Sequence, residues 1–225
     1  MSPQLDALAI LGGNVDGNTA FAVAVGRRGT LSETRAPIAQ RVDLAVLVQE
    51  ALQQAGMAAS EVRELRVDRG PGSYIGLRVA VTFARTLAAF SGARILSAEG
   101  LEVVAAAALR ANPELADRQI CVLLDGRQKR VQFGAHRAVG GQIESLHAPR
   151  LTSDAEAVSQ LDRNCVVLID AAVEARIGAT ISASGAVLMP IPHVSASTLF
   201  AAELRLVEVS PLELEPLYLT GSYVG

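Results

Sequence analysis

One run of this chain concentrates residues whose types and spacing could do chemistry: Asp68-Arg69-Gly70-Pro71-Gly72-Ser73-Tyr74-Ile75-Gly76-Leu77-Arg78. Gly70 and Gly72 permit a sharp reversal, Pro71 stiffens it, and Ser73 is a residue type that caps a helix by accepting from its backbone N–H groups. The start of a helix gathers unpaired N–H donors and the positive end of the dipole, so an anion or a carboxylate fits there. On turn chemistry alone the run reads first as a tight strand-to-helix turn without a ligand, because short glycine-rich patterns recur by chance.

Other candidate constellations are sparse. His136, His147 and His193 stand singly, without the i, i+4 pairing of a zinc site, and read as surface or core histidines. Cys121 and Cys165 fall on apolar strands and read as buried apolar residues; two cysteines make no disulfide framework. No catalytic residue, metal site or cofactor site is assigned. The one concentrated cationic spot is Asp125, Arg127, Lys129 and Arg130, with Arg137 on the following strand. It reads as a solvated hairpin tip, with a contact to nucleic-acid phosphates as the functional alternative.

The elements that must position these residues follow from periodicity and punctuation. Leu5 to Leu11 and Thr19 to Val25 read as a hairpin, a third strand follows Gly29, and Arg41 to Ala55 is a helix stopped by Gly56. Arg63 to Asp68 is a strand, Ile75 to Ser91 a helix, Arg94 to Ser97 a strand, and Glu99 to Arg110 a helix closed by Asn112-Pro113. The order then starts afresh. Ile120 to Leu124, Val131 to Arg137 and Gln142 to His147 form a second meander, followed by a helix from Ser153 to Leu161, a strand from Cys165 to Ile169, a short helix from Ala171 to Ile177, and a final helix from Ala196 to Val209. Two β-meander-plus-helix halves predict an α/β protein of two similar lobes, 1–105 and 106–225, whose last segment packs back on the first lobe.

The helix from Ile75 to Ser91 is apolar on nearly every side, with Arg78, Thr82 and Arg85 as one narrow polar stripe. Such a helix is enclosed by its own domain or covered by another subunit. Composition narrows the rest. With 20 Lys+Arg against 23 Asp+Glu and a net charge of −3, the chain has no basic surplus of the kind a nucleic-acid scaffold carries. Half of the residues are hydrophobic, enough for a core and too many for disorder. Lys129 is the sole lysine, which removes a phosphate-loop lysine elsewhere, and the absence of Trp argues against a ladder of stacked bases. Neither a signal peptide nor a membrane span is legible, so a cytoplasmic protein is expected.

The run Gly-Pro-Gly-Ser-Tyr-x-Gly-Leu-Arg at Gly70 to Arg78 resembles the signature of the TsaB (YeaZ) family of tRNA threonylcarbamoyladenosine (t6A) biosynthesis. Asp125-Gly126-Arg127 is similar to that family's second-lobe Asp-Ala-Arg hairpin, and Pro216-Leu217-Tyr218-Leu219 to its Pro-x-Tyr-Leu ending, so the likeness spans most of the chain. It implies the actin-like, Hsp70 and sugar-kinase (ASKHA) fold in two β-β-β-α-β-α lobes. It also implies a non-catalytic subunit, paired with a TsaD-like catalytic relative and a TsaE-like ATPase, in transfer of threonylcarbamoyl to adenosine 37 of tRNA. tRNA is then an indirect partner. The N-lobe helices become the expected seam, through Leu44, Leu47, Val48, Leu77, Val81, Thr82 and Arg85.

The sequence departs from that pattern at three places. Gly12-Gly13-Asn14 stands where phosphate-handling relatives place an Asp after the first strand, Ile38-Ala39-Gln40 replaces a His-Ser, and Ile75 replaces a Thr. These changes weaken nucleotide or metal binding. Two alternatives follow: a small-molecule kinase or glycoprotease-like enzyme of the same superfamily, and a homodimeric scaffold outside the t6A pathway.

Overall fold

The structure, a computed structural model, describes residues 6–40 and 42–219. Leu5 and Arg41, expected to open the first strand and first helix, lie outside the described residues.

The first half runs β1 (Ala7–Leu11), β2 (Thr19–Arg27), β3 (Thr30–Pro37), α1 (Leu44–Gln54), β4 (Glu64–Asp68), α2 (Tyr74–Ser91), β5 (Arg94–Ala98) and α3 (Gly100–Ala111). The second runs β6 (Gln119–Asp125), β7 (Arg130–Val139), β8 (Gln142–Ser145), β9 (Arg150–Ser153), α4 (Asp154–Ser159), β10 (Val166–Ile169), α5 (Ala171–Ser184) and β11 (Val187–Pro190), and β12 (Val207–Val209) closes the chain's regular structure. The sheets are ordered β12-β5-β4-β1-β2-β3 and β11-β10-β6-β7-β8, with β9 on β7. In each, an antiparallel meander is extended by parallel strands from the other edge of its first strand. This is the actin-like, two-lobed α/β fold.

Strand alternation sorts the core into layers. On β1, Leu8 and Ile10 pack with Leu44, Leu47 and Val48 of α1 and Ala80 and Val81 of α2, while Ala9 and Leu11 face α3. On β6, Ile120, Val122 and Leu124 meet the same α3 side and Cys121 and Leu123 meet α5. The central helix α3 is therefore buried from Val103 to Leu109 on all sides, between the two sheets. Its run of alanines lets both sheets approach it.

One expectation fails at the chain's end. Residues 196–209 are not one helix: Ala196–Phe200 is a 3-10 turn packed on the first sheet beside α3, and Val207–Val209 is a strand antiparallel to β5. Leu199 and Leu204 are buried on separate segments, and hydrogen bonds offered by the edge of β5 capture the alternating Val207-Glu208-Val209. Strands β9 and β11 were not legible either, and α5 runs seven residues past Ile177, to Ser184. No helix among the described residues is long and apolar enough to cross a membrane.

Candidate functional site

The signature run is a weld between β1 and α2. Asp68, at the end of β4, is fully buried, and its carboxylate accepts from the backbone N–H groups of Gly12 (3.2 Å), Gly13 (2.9 Å) and Gly70 (2.8 Å). Burial pushes its carboxyl above the usual carboxylate range, and the three N–H donors oppose that shift. The Ser73 N–H donates to the Gly13 carbonyl at 2.7 Å, and the Ser73 hydroxyl caps α2 by accepting from the Gly76 N–H at 3.3 Å.

Glycine is required here by contact. A Cβ on Gly76 would collide with the Gly12 carbonyl, and one on Gly72 with the Gly13 carbonyl. Gly70 also sits at φ 96°, in the left-handed region. Gly12-Gly13, which departs from the acid of phosphate-handling relatives, is thus the flat surface on which α2 starts. Leu217 N–H donates to the Arg69 carbonyl at 2.6 Å, and Tyr218 packs on Tyr74 with ring centroids 4.8 Å apart. The C-terminal segment is thereby strapped across the same turn. Sequence reasoning missed Asp68 as the hub; the signal was an acid ending an apolar strand directly before a glycine turn.

Below the weld lies a cleft of about 370 Å³ between the halves, bounded by Gly13, Asn14, Ser73, Tyr74, Arg127 and Tyr218. Its two acids are engaged. Asp125 pairs with Arg176 at 2.9 Å, and Asp170 caps α5 by accepting from the Val173 N–H at 2.8 Å while it also accepts from the Asp125 N–H.

The expected seam residues divide. Leu44, Leu47, Val48, Leu77 and Val81 are a correction: all five are buried within the chain, four of them on the faces of α1 and α2 that cover the first sheet and Leu77 against the Gly70 turn. Thr82 is exposed and Arg85 half-buried. The second apolar face of α2 is a different set. Ile75 (74% exposed), Val79 (39%) and Phe90 (72%) lie on one stripe with Thr82 and Thr86, and Val46 of α1 is 49% exposed. At 1.5 Å per residue the stripe from Ile75 to Phe90 is about 22 Å long. Arg78 is exposed beside it, and Tyr74 stands at its start. The breadth of the apolar pattern had two causes: one face meets the sheet and the other meets solvent.

The remaining candidates separate by burial. His136 is buried, and its Nδ1 lies 3.1 Å from the Ser145 hydroxyl, which donates to Glu102 at 2.9 Å; burial pulls the imidazole down to about 4. His147 is exposed, and His193 bridges Asp16 and Arg35 at the surface. Both cysteines are buried and free, and Cys121 is pushed up by a hydrogen bond with Cys165 and by burial. No group of three metal-ligating side chains occurs among the described residues.

Comparison with known proteins completes the description. The family model for TsaD, described as tRNA N6-adenosine threonylcarbamoyltransferase, matches residues 35–205. The tRNA threonylcarbamoyladenosine biosynthesis protein TsaB of Bacillus subtilis (strain 168) is 32% identical over 99 residues, a stretch covering 44% of this chain and 41% of that protein. The matched stretch thus spans less than half of this curated relative's length. Among solved structures, YeaZ from Pseudomonas aeruginosa matches with a TM-score of 0.75 at 19% identity, over 95% of this chain and 99% of that one. A protein of the same organism described as similar to peptidase YeaZ matches with a TM-score of 0.77 at 18% identity, over 96% and 100%. At such identities the structures establish the shared fold.

Proposed function

This chain belongs to the TsaB (YeaZ) proteins of the family that the TsaD model describes, and from that premise we propose that it is a non-catalytic subunit of the assembly that forms t6A on tRNA. It docks through the outer stripe of α2 onto a TsaD-like catalytic subunit, with a TsaE-like ATPase joining the assembly in the cytoplasm. One observation carries the reading: Ile75, Val79 and Phe90 are exposed on one face, shared with Thr82 and Thr86, of an 18-residue helix whose other face is already occupied by the core. Large exposed apolar side chains in one row mark an interface. Burying Ile75 and Phe90 against a partner contributes about 1.5–3 kcal/mol each.

The cleft supports the non-catalytic part. Its carboxylates are committed to Arg176 and to backbone N–H groups, and the loop after β1 presents Gly12 and Gly13 with their N–H groups already bound by Asp68. A kinase or glycoprotease-like chemistry would need an uncommitted acid or nucleophile there.

The test is to mix the purified chain with the TsaD-like protein of the same cell and determine the mass of the eluted species by light scattering. A mixed pair is expected. Elution of self-pairs alone would overturn the mixed pair in favour of a homodimeric scaffold.

A further inference from the structure

We propose that the hairpin tip between β6 and β7 docks the phosphate backbone of RNA, as a second contact beside the α2 stripe. This deepens the reading above and rests on it in one respect, that the chain works on tRNA.

The tip is built at a cost in backbone conformation. Arg127, Gln128 and Lys129 are consecutive non-glycine residues at φ 63°, 51° and 57°, a region that residues with a Cβ avoid. Two backbone hydrogen bonds close it, Gly126 N–H to the Arg130 carbonyl at 2.9 Å and Arg130 N–H to the Arg127 carbonyl at 3.0 Å. Glycine or asparagine would sit there with less strain, so the backbone conformation by itself does not call for Arg127, Gln128 and Lys129.

Those side chains are unneutralised. Arg127, Lys129 and Arg130 are exposed, and none has an ion pair among the described residues. The nearby acids Asp125 and Asp154 are taken by Arg176 at 2.9 and 3.2 Å. On a chain of net charge −3, three cations without ion pairs at one hairpin end, of which Arg130 also donates to the Leu151 carbonyl, form a local positive site.

Position and composition select the ligand. Arg127 borders the same cleft as Tyr74 and Tyr218, so the tip flanks the start of α2, where a docked subunit would bring its RNA alongside. Residues 126–130 include no apolar side chain that could anchor a protein partner. Two guanidinium forks and one ammonium without such an anchor suit phosphodiester oxygens, which they recognise regardless of base sequence.

The experiment is fluorescence anisotropy with a labelled tRNA transcript and an unrelated RNA of equal length, between 50 and 200 mM salt. It uses the full chain alone and mixed with the TsaD-like subunit. Arg127→Gln with Lys129→Gln should weaken binding of both RNAs about tenfold at low salt and flatten the log–log salt slope by about one to two. Arg127→Gly with Lys129→Gly removes the same charge while suiting the backbone, and should behave alike. Arg63→Gln with Arg110→Gln, exposed cations elsewhere, should leave affinity within about twofold. The proposal is overturned by tip variants that bind like wild type or by a wild type that binds no RNA in either form. It is also overturned by variants that keep RNA but lose the TsaD-like subunit in light scattering, which would make the tip a protein contact. Tip-dependent RNA binding by a chain that pairs with no TsaD-like subunit would sustain this proposal while the docking reading fails.

Discussion

Gly76, on the first turn of α2, lies so close to the carbonyl of Gly12 at the end of β1 that a methyl group on Gly76 would collide with it. Helix propensity alone favours Gly76→Ala by about 1 kcal/mol. Overpacking against a backbone carbonyl costs about 1–3 kcal/mol, and a carbonyl just past the end of the interior strand β1, on a residue whose N–H is held by Asp68, has little room to yield. The contact should win, with a net loss of stability of about 1–2 kcal/mol in urea titration. A stabilised variant would show the contact to be compliant.

Asp68→Ala should be more severe. It leaves the N–H groups of Gly12, Gly13 and Gly70 without their acceptor in a buried place, and each orphaned donor costs about 1–3 kcal/mol. Loss of about 3 kcal/mol or more is expected in the same titration. Asp68→Asn keeps one acceptor oxygen and should fall between that variant and wild type.

Substitutions on the two faces of α2 should separate folding from association. Ile75→Glu and Phe90→Glu place charge on exposed positions, so their melting temperatures should match wild type while the mixed pair is lost in light scattering. Leu77→Glu and Val81→Glu put an unpaired charge into the core and should lower stability by about 3 kcal/mol or more before association is tested. Exposed-face variants that still pair would place the seam elsewhere.

Acid should weaken the fold through His136. Its folded value is drawn from 6.5 down to about 4, so between these the unfolded chain binds more protons. The stabilisation is present above pH 6.5 and is lost as pH falls toward about 4, a swing on the order of 3 kcal/mol. Glu102, two hydrogen bonds away, is raised by burial and works in the opposite direction, since the folded state takes up its proton more readily. Comparing wild type with His136→Phe across pH 7.5 to 4.5 isolates the imidazole. The stability difference between them should shift in favour of the variant as pH falls, and a pH-independent difference would exclude this linkage.

The sequence by itself determined the order of most elements, the repeated meander-and-helix pattern and the glycine signature, because alternation, helical spacing and turn residues are local properties. It also showed that α2 is apolar nearly all round. Only tertiary structure decided which side of α2 is interior: a helical pattern reports two apolar faces, and contact with β1 and β4 selects Ala80 and Val81 for the core while Ile75 and Phe90 remain outside. The role of Asp68 was hidden for a related reason, since its donors Gly12 and Gly13 lie 56 and 55 residues away in the chain. Val207–Val209 became a strand because β5, over a hundred residues earlier, offered a free row of hydrogen bonds. In each case the deciding partner is distant along the chain, and local periodicity carries no record of it.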